Sequence, residues 1–309
     1  MIKIKVLVAF ILSFVVSIGF AQSIKVSAVQ MLAHQQSFGE FKKDISKYVL
    51  EAKAKHADIV VFPEGNLLNV IYDSPWNMDS LIELSKYYDD YKRYISSLAN
   101  EDKITIIAGS TARVDGEKIH NTLIVGLPNG EVIEHDKVYL TPEELSVGYS
   151  TEGDNILVLN TDKGKVAVVV CYTSEFANIS LELAKIKPDL IIVPSYTNGI
   201  YGLSRVQTAI KTLSIQNFAY GLVVGMVSNR GVNDLEGADG VSQALFVSPQ
   251  QKAFPVDHLK RAKFNHEEMI SYDFNIEKLH DEKQVNDVFP NDGLNIYKKI
   301  SINVKSTKL

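Results

Sequence analysis

At 309 residues, with 46% hydrophobic and 22% charged residues and no low-complexity linker, the chain has the makeup of one globular body with a sizeable core. A formal net charge of -5, without a Lys/Arg cluster able to follow a phosphate backbone, sets nucleic-acid binding aside. The single cysteine excludes a disulfide within the chain, so stability has to come from packing.

The chain opens on the basic segment MIKIK, then the apolar run VLVAFILSFVVSIGF, then Gly19-Phe20-Ala21, which offers small residues where a signal peptidase reads. This predicts an exported, periplasmic or secreted protein, with residues 1–21 as a cleaved signal peptide and 22–309 as one domain. The alternative is a retained membrane anchor, against which the apolar run falls short of the ~20 residues that span a bilayer. No stable membrane span is expected after processing.

Ser23 to Met31 then reads as a strand. Phe38, Phe41, Ile45, Val49 and Ala52 recur at helical spacing and predict an amphipathic helix. Ile59 to Phe62 is a buried strand, Met78 to Asn100 a helix, and Ile104 to Ala108 a strand. Thr122 to Val125 and Val132 to His135 flank Pro128-Asn129-Gly130, a hairpin turn signal. Val166 to Val170 is a strand, Phe176 to Lys185 a helix and Leu190 to Val193 a strand. Ser204 to Ala219 is a helix, and Leu222 to Val227 and Ala244 to Val247 are strands. From Pro249 onward the sequence is more polar and weakly periodic, which predicts a tail packed on the body or on a partner subunit. Such alternation indicates an α/β fold with helices covering the sheets.

Three apolar runs end alike: DIVVFPEG at Glu64, VAVVVCY at Cys171, and LIIVPSYTNG at Pro194-Ser195. Ligands bind at the carboxyl ends of strands in such sheets, so polar residues there can converge on a site. Taken alone, Cys171 reads as one more small buried hydrophobe and Glu64 as a cap or surface carboxylate. A catalytic thiol needs a base or a positive neighbour. None of the seven histidines sits in a cysteine-protease motif or at metal-ligand spacing. Glu64 is therefore the candidate base, and Lys137, in HDKVYLTPEE, the candidate cation.

The blocks VVFPEG, HDKVYLTPEE, VVVCYTSEF and KPDLIIVPSYT, in that order, resemble the nitrilase superfamily of carbon-nitrogen hydrolases over about Ser23 to Ser248. The resemblance implies a four-layer α-β-β-α sandwich and a Glu-Lys-Cys triad, with Cys171 as nucleophile, Glu64 as general base and Lys137 stabilising the oxyanion. It implies a second glutamate beyond the lysine, Glu144 or its neighbour Glu143, and the Tyr172 backbone N–H as a further oxyanion donor. Tyr196 and Thr197, after another strand end, are candidates for shaping the substrate pocket, with packing as the alternative role. No cofactor and no metal is implied, and a homodimer or higher homo-oligomer is.

The implied reaction is hydrolysis of a small amide through a thioester on Cys171. Nitrile hydrolysis, N-carbamoyl cleavage and acyl transfer are rivals, and an inactive binding protein of the same fold is the alternative of another class. Departures from the family wording are Thr173 in place of an aspartate, Ala177 in place of a proline, and Ser214 in place of a glutamate. Two further expectations follow: the Cys171 thiol beside Lys137 should have a depressed pKa, and losing Lys137 should leave the fold intact. The N-terminal expectation is checked by sequencing protein from the cell envelope: a mature chain should begin at Gln22, and retention of Met1 would favour the anchor.

Overall fold

The computed structural model describes residues 22–229, 240–285 and 288–290, so the expected signal segment lies outside the described residues. The elements are β1 (Ser23–Ala33), α1 (Phe38–Ala54), β2 (Ile59–Val61), α2 (Met78–Ser85), α3 (Tyr88–Asp102), β3 (Thr105–Asp115), β4 (Lys118–Gly126), β5 (Val132–Asp136), α4 (Pro142–Val147), β6 (Leu157–Asn160), β7 (Lys165–Val168), α5 (Ala177–Ile186), β8 (Leu190–Ser195), α6 (Gly199–Asn217), β9 (Tyr220–Ser228), β10 (Leu245–Val247), β11 (Lys260–Arg261), β12 (Glu268–Asn275) and α7 (Ile276–Val285). Short 3₁₀ turns follow β2, at Asn66–Val70, and β7, at Cys171–Glu175.

The strands run β5-β4-β3-β2-β1-β9-β8-β7-β6, with β12 added to β1 and β10 to β9. Strand β1 belongs to both halves. Its body pairs parallel with β2 and antiparallel with β12, while its last residues, Met31 to Ala33, pair with Met226 to Ser228 of β9. Period-2 alternation then sorts side chains between two cores. Ile59 and Val61 face the second sheet, together with Ile107, Leu123 and Val125. Val60, Phe62, Ile106 and Ile124 face the opposite way, onto Phe41 and Ile45 of α1 and Tyr91 and Ile95 of α3. Helices α5 and α6 cover the other side of the second sheet through Ile179, Leu183, Val206 and Ile210. The layers are therefore α-β-β-α, as the resemblance implied.

Local chemistry explains the boundaries. Helix α1 starts at a capping box in which Ser37 accepts from the Glu40 backbone and Glu40 accepts from Ser37 N–H. The predicted helix over Met78 to Asn100 is two helices. Its apolar spacing runs unbroken through Leu84, Tyr88 and Tyr91, but Lys86 and Tyr87 donate to residues three back, and the tightened turn swings the Tyr87 ring to 5.0 Å from Phe38. Pro128-Asn129-Gly130 makes the β4–β5 turn as expected, with Gly130 at φ +87°.

The region after Pro249 requires a correction. Glu268–Asn275 is a full strand paired with eight residues of β1, not a tail laid on the body. Its other face carries Ser271, Asp273 and Asn275, and Glu268 opens the apolar face, so the alternation was hidden. Phe274 there is fully buried against the rings of Tyr220, Phe246 and Tyr272. Phe274→Ala should destabilise the fold by about 3–5 kcal/mol, measured as a lower urea midpoint at unchanged slope.

Candidate active site

Glu64 stands two residues beyond Phe62, whose N–H still reaches the Ile107 carbonyl of β3. Gly65 then turns at φ +65°, and a Cβ there would come within 2.9 Å of the Tyr196 ring, so the FPEG wording is both a turn and a close approach. Lys137 follows β5 directly, its N–H bonded to the Asn121 carbonyl of β4. Cys171 ends the β7 run and takes φ +43°, a left-handed backbone rare for a residue with a side chain and strained by about 1–3 kcal/mol. Glu144 is the third helical residue of α4, whose Thr141 cap completes a capping box with it.

These four side chains meet in one buried cluster. Lys137 Nζ, at 1% exposure, donates to Glu64 Oε1 at 2.8 Å and to Glu144 Oε2 at 2.7 Å. Glu64 Oε2 accepts the Tyr196 backbone N–H at 3.0 Å. The Tyr196 carbonyl lies 3.8 Å from Cys171 Sγ and accepts the thiol's weak hydrogen bond. Tyr196 thus ties the base candidate to the thiol through its backbone. Of the two adjacent glutamates it is Glu144 that touches Lys137; Glu143 is exposed and accepts from Asn198 at 3.5 Å. The sequence reading missed Asn121. Its side chain donates to Glu64 Oε1 at 3.0 Å and to Glu144 Oε1 at 2.5 Å. The available signal was one amide between His120 and Thr122 at the head of a buried apolar strand.

The cluster floors a cleft of about 880 Å³. Cys171, Tyr172, Tyr196 and Thr197 all line it. The Tyr172 ring stands edge-on to Phe176 and under the Arg205 guanidinium. The Thr197 hydroxyl is turned onto the Val241 carbonyl at 2.7 Å. At the mouth Arg205 is bound to Glu175.

Burial pushes the Glu64 carboxyl above the ordinary carboxylate range; Lys137 opposes the rise and Glu144 adds to it. Burial alone would lower Lys137, but Glu64 and Glu144 outweigh it and hold the ammonium well above the usual lysine range. The expectation of a depressed thiol pKa is overturned: burial, then the charge of Glu64, raise Cys171 well above a free thiol, and Lys137 offsets only part. Cys171 thus keeps its proton at rest, with the Glu64 carboxyl beside it. The arrangement can therefore move a proton from sulfur to carboxylate as sulfur attacks, without storing a thiolate. Among the described residues no cluster of His, Cys, Asp and Glu could hold a metal ion, and no helix is long and apolar enough to cross a membrane.

A family model described as carbon-nitrogen hydrolase matches residues 25–274. The chain belongs to the carbon-nitrogen hydrolase family. The chain is similar to a probable hydrolase of Bacillus subtilis, YhcX, at 29% identity over 200 residues, which are 62% of this chain and 38% of that protein. It thus spans well under half of YhcX. It is also similar to omega-amidase NIT3 of Saccharomyces cerevisiae, at 24% identity over 226 residues, 68% of this chain and 76% of the relative. Among solved structures, Nit3 of Saccharomyces cerevisiae, a member of branch 10 of the nitrilase superfamily, superposes with a TM-score of 0.69 at 22% identity, covering 86% of this chain and 95% of that one. A mutant of the amidase from Nesterenkonia sp. AN1, with acrylamide added at its active-site cysteine, gives a TM-score of 0.67 at 16% identity, over 84% and 97% of the two chains. The structural likenesses establish the shared fold.

The position of Lys137 corrects one expectation. A lysine at 1% exposure between two carboxylates supports the fold as well as any chemistry, so removing it leaves two like charges buried and unpaired. Lys137→Met should abolish turnover and cost about 3–5 kcal/mol of stability at neutral pH. Without the cation, which opposes the rise, the Glu64 carboxyl has a folded pKa further above its unfolded one. The deficit is therefore full above that folded value and shrinks as pH falls through it toward the unfolded value near ~4.3. Melting temperatures of parent and variant across pH 4 to 8, on the order of five points, should converge at the acid end.

Proposed function

We propose that this carbon-nitrogen hydrolase cleaves a non-peptide carbon-nitrogen bond of a small amide through a thioester on Cys171. The observation that carries the reading is the buried contact of Glu64, Lys137 and Glu144 beside the Cys171 thiol at the floor of one cleft. The relatives named as amidases support an amide over the rival substrates.

In this reading the Cys171 sulfur attacks the amide carbon while its proton passes to Glu64. The carbonyl π electrons move onto oxygen. Two of the three Lys137 ammonium hydrogens are committed to Glu64 and Glu144, which leaves one for the oxyanion, and the Tyr172 backbone N–H is the second donor. Collapse breaks the carbon-nitrogen bond, and Glu64 returns its proton to the leaving amine. Water then attacks the thioester, giving a proton to Glu64, and the tetrahedral species expels the thiolate, which recovers that proton. A Glu64 raised by burial suits both directions of transfer. The basic start and short apolar run before Ala21 support action after export.

Ammonia or amine release from small amides should be lost in Cys171→Ala, and quenched turnover should leave an acyl mass on the peptide holding Val166 to Phe176. Alkylation by iodoacetamide distinguishes a neutral resting thiol from a thiolate. With Cys171 raised, labelling should be biphasic, with a slow plateau that begins as Glu64 ionises and a steep rise only above the ordinary thiol range of about 8.5. A single fast plateau extending into acid would mean a resting thiolate and overturn the proton transfer to Glu64.

A further inference from the structure

We propose that Asn121 is the positioning residue of this site: one amide nitrogen forks to both carboxylates and fixes the gap from which Glu64 serves Cys171. The inference rests on the proton-transfer reading above. Asn121 Nδ2 has two hydrogens, one directed to Glu64 Oε1 at 3.0 Å and the other to Glu144 Oε1 at 2.5 Å. Lys137 Nζ bridges the same carboxylates, at Glu64 Oε1 and at the other Glu144 oxygen. The four groups form a closed ring in which two anions are held by one cation and one neutral double donor.

The backbone builds this ring. Thr122 of β4 pairs with Asp136 of β5, and the next step places Asn121 beside Lys137, whose N–H meets the Asn121 carbonyl at 2.9 Å. One hairpin register therefore delivers both bridging groups. The amide's orientation is fixed by its neighbours, because turning it over would aim its oxygen at two carboxylates. Asn121 Oδ1 is buried and has no hydrogen-bond partner among the described residues, and the residue is 5% exposed. An amide kept at the expense of its own acceptor is held there for its two donors.

The groups facing Glu64 are Lys137 after β5, Glu144 of α4, Tyr149 beyond α4, the Cys171 thiol, and the Tyr196 N–H. Lys137 and Asn121 are the only side chains of the ring that donate to it. Losing the Asn121 donor removes a bond that favours the ionised carboxylate and leaves Lys137 alone to offset Glu144. A carboxylate in its place adds a third negative charge and does so more strongly.

Asn121→Asp, Asn121→Leu and Asn121→Ser should be compared with the parent in two measurements: the pH dependence of kcat/KM for a hydrolysed amide, and the pH dependence of iodoacetamide labelling of Cys171. The first two should lower kcat by about 10²-fold with KM changed only a few-fold. Both should also move the acid limb of each profile upward by about one pH unit or more, with Asn121→Ser, which keeps a single donor, lying between them and the parent. A residue that merely packs would lower the melting temperature without moving either limb. An unmoved acid limb in any folded variant, or a loss confined to KM, overturns the proposal. If the parent releases no amine from any amide, the substrate reading fails, while the labelling profile still decides the role of Asn121. Should Asn121→Asp and Asn121→Leu fail to fold, the acid limb of Asn121→Ser decides the matter.

Discussion

A buried ammonium held between two buried carboxylates is the constraint around which this molecule is arranged. Each charge alone would be costly to remove from water, and together they are tolerated only if geometry and hydrogen bonds are complete. Lys137 therefore cannot be positioned loosely, and neither can the strand ends that present its partners. The lysine leaves the β4–β5 hairpin, Glu64 leaves β2, and Glu144 stands on a helix pinned by its own cap. The capping box matters twice over, since the Glu144 oxygen that accepts Lys137 also accepts the Thr141 N–H. Helix start and charge cluster are thus one hydrogen-bonded unit.

The fold supplies rigidity at the positions the cluster needs. Strands β2, β7 and β8 are buried on both faces, which removes the freedom a surface strand would have to shift register. Sharing β1 between the two sheets joins their pairing, so the Glu64 side and the Cys171 side of the cleft are referred to one strand. Tyr196 completes the link at atomic scale, with its N–H on Glu64 and its carbonyl toward the thiol.

Much of this was legible in the sequence because burial leaves a strong trace. Apolar runs that stop at Glu64 and Cys171 announced their own ends, and Pro128-Asn129-Gly130 marked the β4–β5 turn. The break at Lys86-Tyr87 was not legible, since the apolar spacing on either side continues through it. Strand β12 was concealed for the opposite reason: one half-exposed face diluted its alternation. Asn121 escaped because a single amide in a strand carries no pattern, and its meaning depends on which residues the hairpin register places beside it. The thiol's ionisation was misread because a nearby lysine suggests a thiolate, whereas burial first, and then the charge of Glu64, outweigh that influence.

The raised thiol has a consequence outside catalysis. Peroxide and disulfide exchange attack thiolates, so a cysteine that keeps its proton at rest offers oxidants little to react with. The chain has no second cysteine to rescue a sulfenic acid by forming a disulfide, which makes avoidance the only protection available within the molecule. In the proposed thioester reading, resting neutrality at Cys171 acts as chemical durability for the one sulfur on which that chemistry would depend.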